Sequence, residues 1–122
     1  MCGAGAHAAE LLARGARVTG LDSSAGMLAI AADRLGAAVD LHLADLADPL
    51  PFANATFDVV LASLVMHYLQ DWAPTLSEFR RVLIPGGLLV LSTHHPFMDH
   101  RLSGADNYFA TYHFAEQWRK GD

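Results

Sequence analysis

Cysteine is almost absent from this chain: Cys2 is the single one in 122 residues. One thiol excludes an internal disulfide and fits a reducing compartment, so a cytoplasmic location is expected. Positive charge is scarce too. Eight Lys and Arg face thirteen Asp and Glu, for a formal net charge of −5. The longest basic run in the body of the chain is Arg80-Arg81. This argues against binding along a phosphate backbone, so no nucleic-acid partner is expected. No apolar run is long enough to span a membrane, and no charged segment precedes an apolar core at the start. Neither a membrane partner nor a signal peptide is therefore expected. What is plentiful is apolar residues, at 52%, against 17% charged, which suits one domain with a substantial core.

The chemistry concentrates in Cys2-Gly3-Ala4-Gly5-Ala6-His7 and in Asp22, seventeen residues after Gly5. Glycines let a backbone turn tightly and approach a ligand, because no Cβ intervenes. The helix that follows offers unpaired N–H groups and the positive end of its dipole. Asp22 ends the apolar run Arg17-Val18-Thr19-Gly20-Leu21, where a carboxylate can accept from both hydroxyls of a ribose. The pattern points to a nucleotide-type ligand. The structural alternative is a tight strand–helix turn followed by a solvated aspartate.

Periodicity sets the elements. Residues 5–15 read as a helix with Ala8, Leu11 and Leu12 inward and Gly15 as its stop. Residues 17–21 read as a strand. Ser23 or Ser24 can cap a second helix carrying Met27, Leu28, Ala31 and Leu35 at helical spacing. Residues 38–44 alternate with period two, as a half-buried edge strand does. Two prolines and an asparagine make Asp45 to Thr56 a loop. Residues 57–63 read as a strand buried on both faces. Asp71 can cap a helix whose inner face is Trp72, Leu76, Phe79 and Leu83, with Glu78, Arg80 and Arg81 outside. Pro85-Gly86-Gly87 breaks the chain before a last strand at 88–93. Strands alternating with helices imply an α/β fold, a doubly wound, mostly parallel sheet with helices on both faces.

With those elements placed, the chain resembles the class I S-adenosylmethionine-dependent methyltransferases, in the branch that holds quinone-biosynthesis and other small-molecule enzymes. The matching residues are Cys2-Gly3-Ala4-Gly5, Asp22-Ser23-Ser24-Ala25-Gly26-Met27-Leu28, Ala44-Asp45, Leu50-Pro51-Phe52 with Phe57-Asp58-Val59-Val60, Met66-His67-Tyr68-Leu69, and Glu78 to Gly87. They follow the family's order and spacing over residues 2–93.

The resemblance implies a Rossmann-like fold and S-adenosyl-L-methionine as cofactor. It places Gly3 and Gly5 at the methionine end, Asp22 on the ribose, and Met27 or Ser23 beside the adenosine. Asp45 would reach the adenine amine, Leu46 would stack near the ring, and Ser63 with Leu64 would lie under the sulfonium. The chemistry implied is in-line attack of an acceptor atom on the methyl group, with His67 and then His95 as candidate bases. The alternative for His67 is a packed helix histidine. The resemblance also marks what is missing. The family's first strand, central between the strands ending at Asp22 and Ser63, has no counterpart, nor do its last strands. A partial fold is expected: residues 1–93 as an incomplete cofactor-binding core and 94–122 as an incomplete substrate-side cap. Open sheet edges should then favour self-association.

Two other readings compete. Gly3-Ala4-Gly5-Ala6-His7-Ala8 with Asp22 also fits a nicotinamide-dependent dehydrogenase. The loop at 45–57 and the Pro-Gly-Gly before the last strand favour the methyltransferase. A non-catalytic truncated fragment is the non-enzyme alternative. Ser63-Leu64-Val65-Met66 stands where nucleic-acid amino-methylating enzymes carry an Asp/Asn-Pro-Pro-aromatic element, and Cys2 belongs to the glycine loop, so a small-molecule substrate is favoured. No metal is expected. His94-His95 with Asp99 and His100 is interrupted by Pro96, and adjacent histidines on an extended chain point opposite ways. Phe97, Tyr108, Phe109, Tyr112, Phe114 and Trp118 are candidates for an aromatic pocket wall.

Overall fold

The computed structural model describes residues 1–104 and 106–111. Helices and strands come in the order α1 (Ala6–Ala13), β1 (Val18–Asp22), α2 (Ala25–Leu35), β2 (Val39–Leu43), β3 (Phe57–Ser63), α3 (Ala73–Val82), β4 (Leu83–Ser92) and α4 (Pro96–Ser103). The expected helical turn after β3 is a short 3-10 turn, Met66–Tyr68. Tyr112, Phe114 and Trp118 of the expected aromatic wall lie outside the described residues.

Every strand pair is parallel. β1 runs beside β2 from Val18↔Val39 to Asp22↔Leu43, and β3 runs beside β4. The two pairs form separate two-stranded sheets. Among the described residues β1 and β3 each keep one edge without a strand. The Cys2 amide donates to the Leu21 carbonyl at 2.6 Å, so the first residues lie along the open edge of β1. The two sheets meet through apolar packing. Leu46, Leu50, Ala62, Val65, Met66, Phe79 and Val82 form the buried cluster, and Met1, Leu21, Val60 and Leu89 pack against it.

Three expectations are corrected. β3 is not covered on both faces: Val59 and Leu61 are exposed, as are their register partners Leu88 and Val90. In α3 the inner face is Thr75, Phe79 and Val82, and Leu76 faces solvent. The helix is rotated because the Thr75 hydroxyl donates to the Leu46 carbonyl at 2.9 Å inside the core. Pro85-Gly86-Gly87 does not break the chain before the last strand either, because β4 already begins at Leu83. It forms a bulge inside β4, between Leu83, opposite Phe57, and Leu88, opposite Val59. Gly86 takes φ +82° there, and a Cβ on Gly87 would lie 3.0 Å from the Asp58 carbonyl oxygen.

Glu78 and Arg81 are not simply outside. The Arg81 guanidinium donates to the Leu50 and Phe52 carbonyls, to Asn54 Oδ1 and to Glu78, while the Glu78 carboxylate accepts the Leu50 amide at 2.8 Å. One ion pair thereby holds the proline loop that the sequence shows only as a loop. Holding it sets Phe52 edge-on between His42 and Phe57, with both ring centroids at 5.0 Å.

Candidate functional site

In parallel pairs the carboxyl ends of neighbouring strands come together, which is where open α/β sheets place their ligands. Here Asp22 ends β1 beside Leu43, and Ser63 ends β3 beside Ser92.

At the β1 end the glycine turn and the carboxylate form one unit. Gly3 has φ +52° and Gly5 has φ +78°. The Gly3 amide donates to Asp22 Oδ2 and the Ser24 amide donates to Oδ1, each at 2.9 Å. Asp22 is only 2% exposed. Each carboxylate oxygen keeps a lone-pair direction beyond these bonds, so the group can still accept from ligand hydroxyls. A Cβ on Gly3 would meet nothing within 4 Å, so that side of the turn is open to a ligand. Gly5 differs. A Cβ there would sit 2.8 Å from Leu35 Cδ1, so its bare α-carbon serves the close packing of α1 on α2. Burial pushes the Cys2 thiol up, and the Asp22 charge adds to this, so Cys2 is a poor thiolate.

Of the two serines, Ser24 caps α2 by accepting the Met27 amide at 3.3 Å. Ser23 is left exposed, with its hydroxyl on Met1 Sδ at 3.3 Å. Met27 is exposed at the start of α2, close in sequence to both serines. Asp45 lies in the turn after β2. Its Oδ1 accepts the Ala47 amide at 2.9 Å, and its second oxygen has no partner among the described residues. Leu46, expected near the adenine ring, has its side chain in the buried core cluster.

At the β3 end the Ser63 and Ser92 hydroxyls lie 3.1 Å apart, and the Leu64 amide donates to the Ser92 carbonyl at 2.9 Å. His67 follows in the 3-10 turn, half-buried, its ring stacked on His94 at 4.2 Å and 19°. His95 points elsewhere: its Nδ1 accepts the Phe97 amide at 3.2 Å and caps α4. Nδ1 then holds the lone pair and Nε2 the proton, so His95 acts as a base only after releasing the Phe97 amide. Phe97, His100, Tyr108 and Phe109 form a ring cluster further on. Among the described residues no group of three His, Cys, Asp or Glu is placed to hold a metal ion.

Sequence reasoning missed Ser92 as a partner of the β3 tip. Only the strand register, set by the bulge, brings it opposite Ser63.

Known proteins resemble this chain in sequence and fold. Residues 1–91 match the family described as a methyltransferase domain. The malonyl-[acyl-carrier protein] O-methyltransferase of Serratia marcescens is 38% identical over 92 residues, covering 75% of this chain and 35% of that protein. The demethylmenaquinone methyltransferase of Thermobifida fusca is 38% identical over 92 residues, covering 73% and 39%. An S-adenosylmethionine-dependent methyltransferase structure from Mesorhizobium loti superimposes with a TM-score of 0.72 at 36% identity, covering 78% of this chain and 44% of that one. The chain spans less than half the length of these relatives. By the family match and the shared α/β architecture, the chain belongs to the class I, Rossmann-like S-adenosylmethionine-dependent methyltransferases.

Proposed function

We propose that this chain supplies the donor-binding part of a methyltransferase that transfers a methyl group from S-adenosyl-L-methionine to a small-molecule acceptor in the cytoplasm. The observation that carries the reading is the Asp22 carboxylate, held between the Gly3 and Ser24 amides beside the open face of Gly3. These residues fit an adenosyl ligand: a fixed double acceptor for ribose and a turn that a backbone-close ligand can approach. S-adenosyl-L-methionine, when bound, supplies an electrophilic methyl on its sulfonium. The protein's share is positioning, by which orientation alone supplies much of the acceleration. Gly3 and Gly5 border the methionine end and Asp22 holds the ribose. Met27 or Ser23 borders the adenosine, Asp45 reaches the adenine amine and Leu46 lies near the ring. Ser63 and Leu64 floor the reacting centre. Where an acceptor must lose a proton, His67 is the base assigned first and His95 second. The named acceptors of the relatives, a malonyl carrier and a demethylmenaquinone, and the acidic balance of the chain support a small acceptor over a nucleic acid.

Calorimetric titration with S-adenosylhomocysteine and with NAD tests the reading. Binding of the adenosyl ligand is expected, and binding of NAD alone would sink the proposal in favour of the dehydrogenase. Asp45→Asn should lower affinity for the adenosyl ligand about fivefold or more, and less for its inosine analogue, because the lost acceptor faces the exocyclic amine. Equal losses for both would show that Asp45 does not touch the base.

Self-association belongs to the same proposal. Among the described residues the edge of β3 away from β4 has no strand partner, and such an edge can template a strand from another chain. Size-exclusion chromatography across a concentration series should show species larger than 13.1 kDa. A monomer at every concentration would remove this part of the proposal.

A further inference from the structure

Leu64, directly after β3, has φ +48°, in the left-handed region that a γ-branched side chain seldom enters. Such backbone persists only where surrounding groups over-determine it, and it concentrates at functional sites. Its consequence here is a sharp change of direction. Val65 and Met66 turn into the core, at 2% and 0% exposure, while Leu64 stays half-exposed at the carboxyl end of the sheet. What holds the turn is one residue of the neighbouring strand. The Leu64 amide donates to the Ser92 carbonyl at 2.9 Å and to Ser92 Oγ at 3.2 Å. The same Oγ lies 3.1 Å from Ser63 Oγ, and Ser63 and Ser92 are register partners. The three residues form a brace across the tips of β3 and β4.

We propose that Ser92 is a positioning residue: its hydroxyl, acting with its carbonyl, locks Leu64 in the left-handed turn that shapes the floor of the methyl-transfer site. It acts through the Leu64 backbone, not by touching the ligand. This role rests on the donor-binding reading of the site, but the brace itself can be read without any ligand.

The test is a double-mutant cycle with S-adenosylhomocysteine as probe. Ser92→Ala should weaken binding about fivefold, the size of one neutral hydrogen bond. Ser92→Thr, which keeps the hydroxyl, should bind as the unmodified chain does. Glycine takes positive φ at no steric cost, so Ser92→Ala should cost nothing further in a Leu64→Gly background. Equal losses in both backgrounds would mean that Ser92 merely stabilises the β4 tip, and would overturn the proposal. In the ligand-free chain, Ser92→Ala should speed hydrogen exchange of the Leu64 amide, and unchanged exchange would overturn the brace. If the unmodified chain binds no adenosyl ligand while its Leu64 amide is protected, the donor-binding reading fails and takes this functional role with it.

Discussion

Asp22→Ala is expected to weaken adenosyl-ligand binding by about tenfold or more and to lower stability in the absence of ligand. Two losses add. The carboxylate no longer accepts ribose hydroxyls, and hydrogen bonds to a charged group are worth about 1.5–3 kcal/mol each, so tenfold or more in affinity goes. The Gly3 and Ser24 amides also lose their acceptor, at a residue that is 2% exposed. An unsatisfied buried donor costs about 1–3 kcal/mol, a large share of the roughly 5–15 kcal/mol that holds a typical domain together. Asp22→Asn separates the two effects. Its amide oxygen still accepts one backbone N–H, so more of the fold survives than of the affinity. Thermal melting without ligand, paired with calorimetric titration, gives both numbers. If Asp22→Asn binds the adenosyl ligand as tightly as the unmodified chain, the ribose does not sit on Asp22.

The other large effect is expected at Arg81. Arg81→Ala removes five hydrogen bonds at once: the Phe52 carbonyl loses its guanidinium donor, the Leu50 carbonyl keeps only the Phe52 amide and the Glu78 carboxylate only the Leu50 amide. The proline loop should loosen, and the melting temperature should fall by several degrees. Arg81→Lys should not restore it, because an ammonium cannot replace the planar fork. A lysine variant that melts like the unmodified chain would reduce this clamp to a surface ion pair. The same clamp sets an acid limit. Hydrogen bonds from Arg81 and then from the Leu50 amide hold the Glu78 carboxyl at about 2, against an ordinary value of 4.5. A depressed carboxyl contributes stability that is complete above about pH 4.5 and is lost as pH falls toward 2. Over that window the unmodified chain should lose melting temperature more steeply than Glu78→Gln. Parallel curves would show that the pair contributes nothing to acid sensitivity.

Much of this fold is legible in the sequence because its signals are local. The run Phe57–Ser63 has the bounds of β3, and β1 is displaced from its expected place by one residue. Glycines with positive φ stand where the sequence places turns, at Gly3, Gly5, Gly15 and Gly36. What was not legible depends on partners far along the chain. The rotation of α3 follows from Thr75 reaching the Leu46 carbonyl, 29 residues away, and helical spacing alone favoured the larger Leu76. Arg81 looks like a solvated charge until the loop 27 to 31 residues earlier comes back to it. Pro-Gly-Gly signals a break, but sheet pairing across a bulge was worth more than continuity of register. At the candidate site, Asp22 and the glycine turn were legible as a unit. The separate duties of Ser23 and Ser24, and of Gly3 and Gly5, rest on orientation, which a one-dimensional pattern does not carry. Leu46 reads as a site neighbour by its place after Asp45, and its packing in one core cluster with Leu50 and Met66 is a duty the sequence does not show.

The division of the sheet into two pieces has a consequence for how the molecule would respond to a ligand. β1–β2 carries Gly3, Asp22 and Asp45 or their flanks, and β3–β4 carries Ser63, Leu64 and Ser92. No ladder bond joins these leaves among the described residues, and the seam between them is mostly apolar, with the buried Thr75–Leu46 hydrogen bond as a directional tie. A greasy seam resists separation better than it resists sliding. A molecule that gripped Asp22 on one leaf and rested on the Leu64 turn of the other would work as a clasp, adding a polar link between two leaves that no ladder bond joins among the described residues.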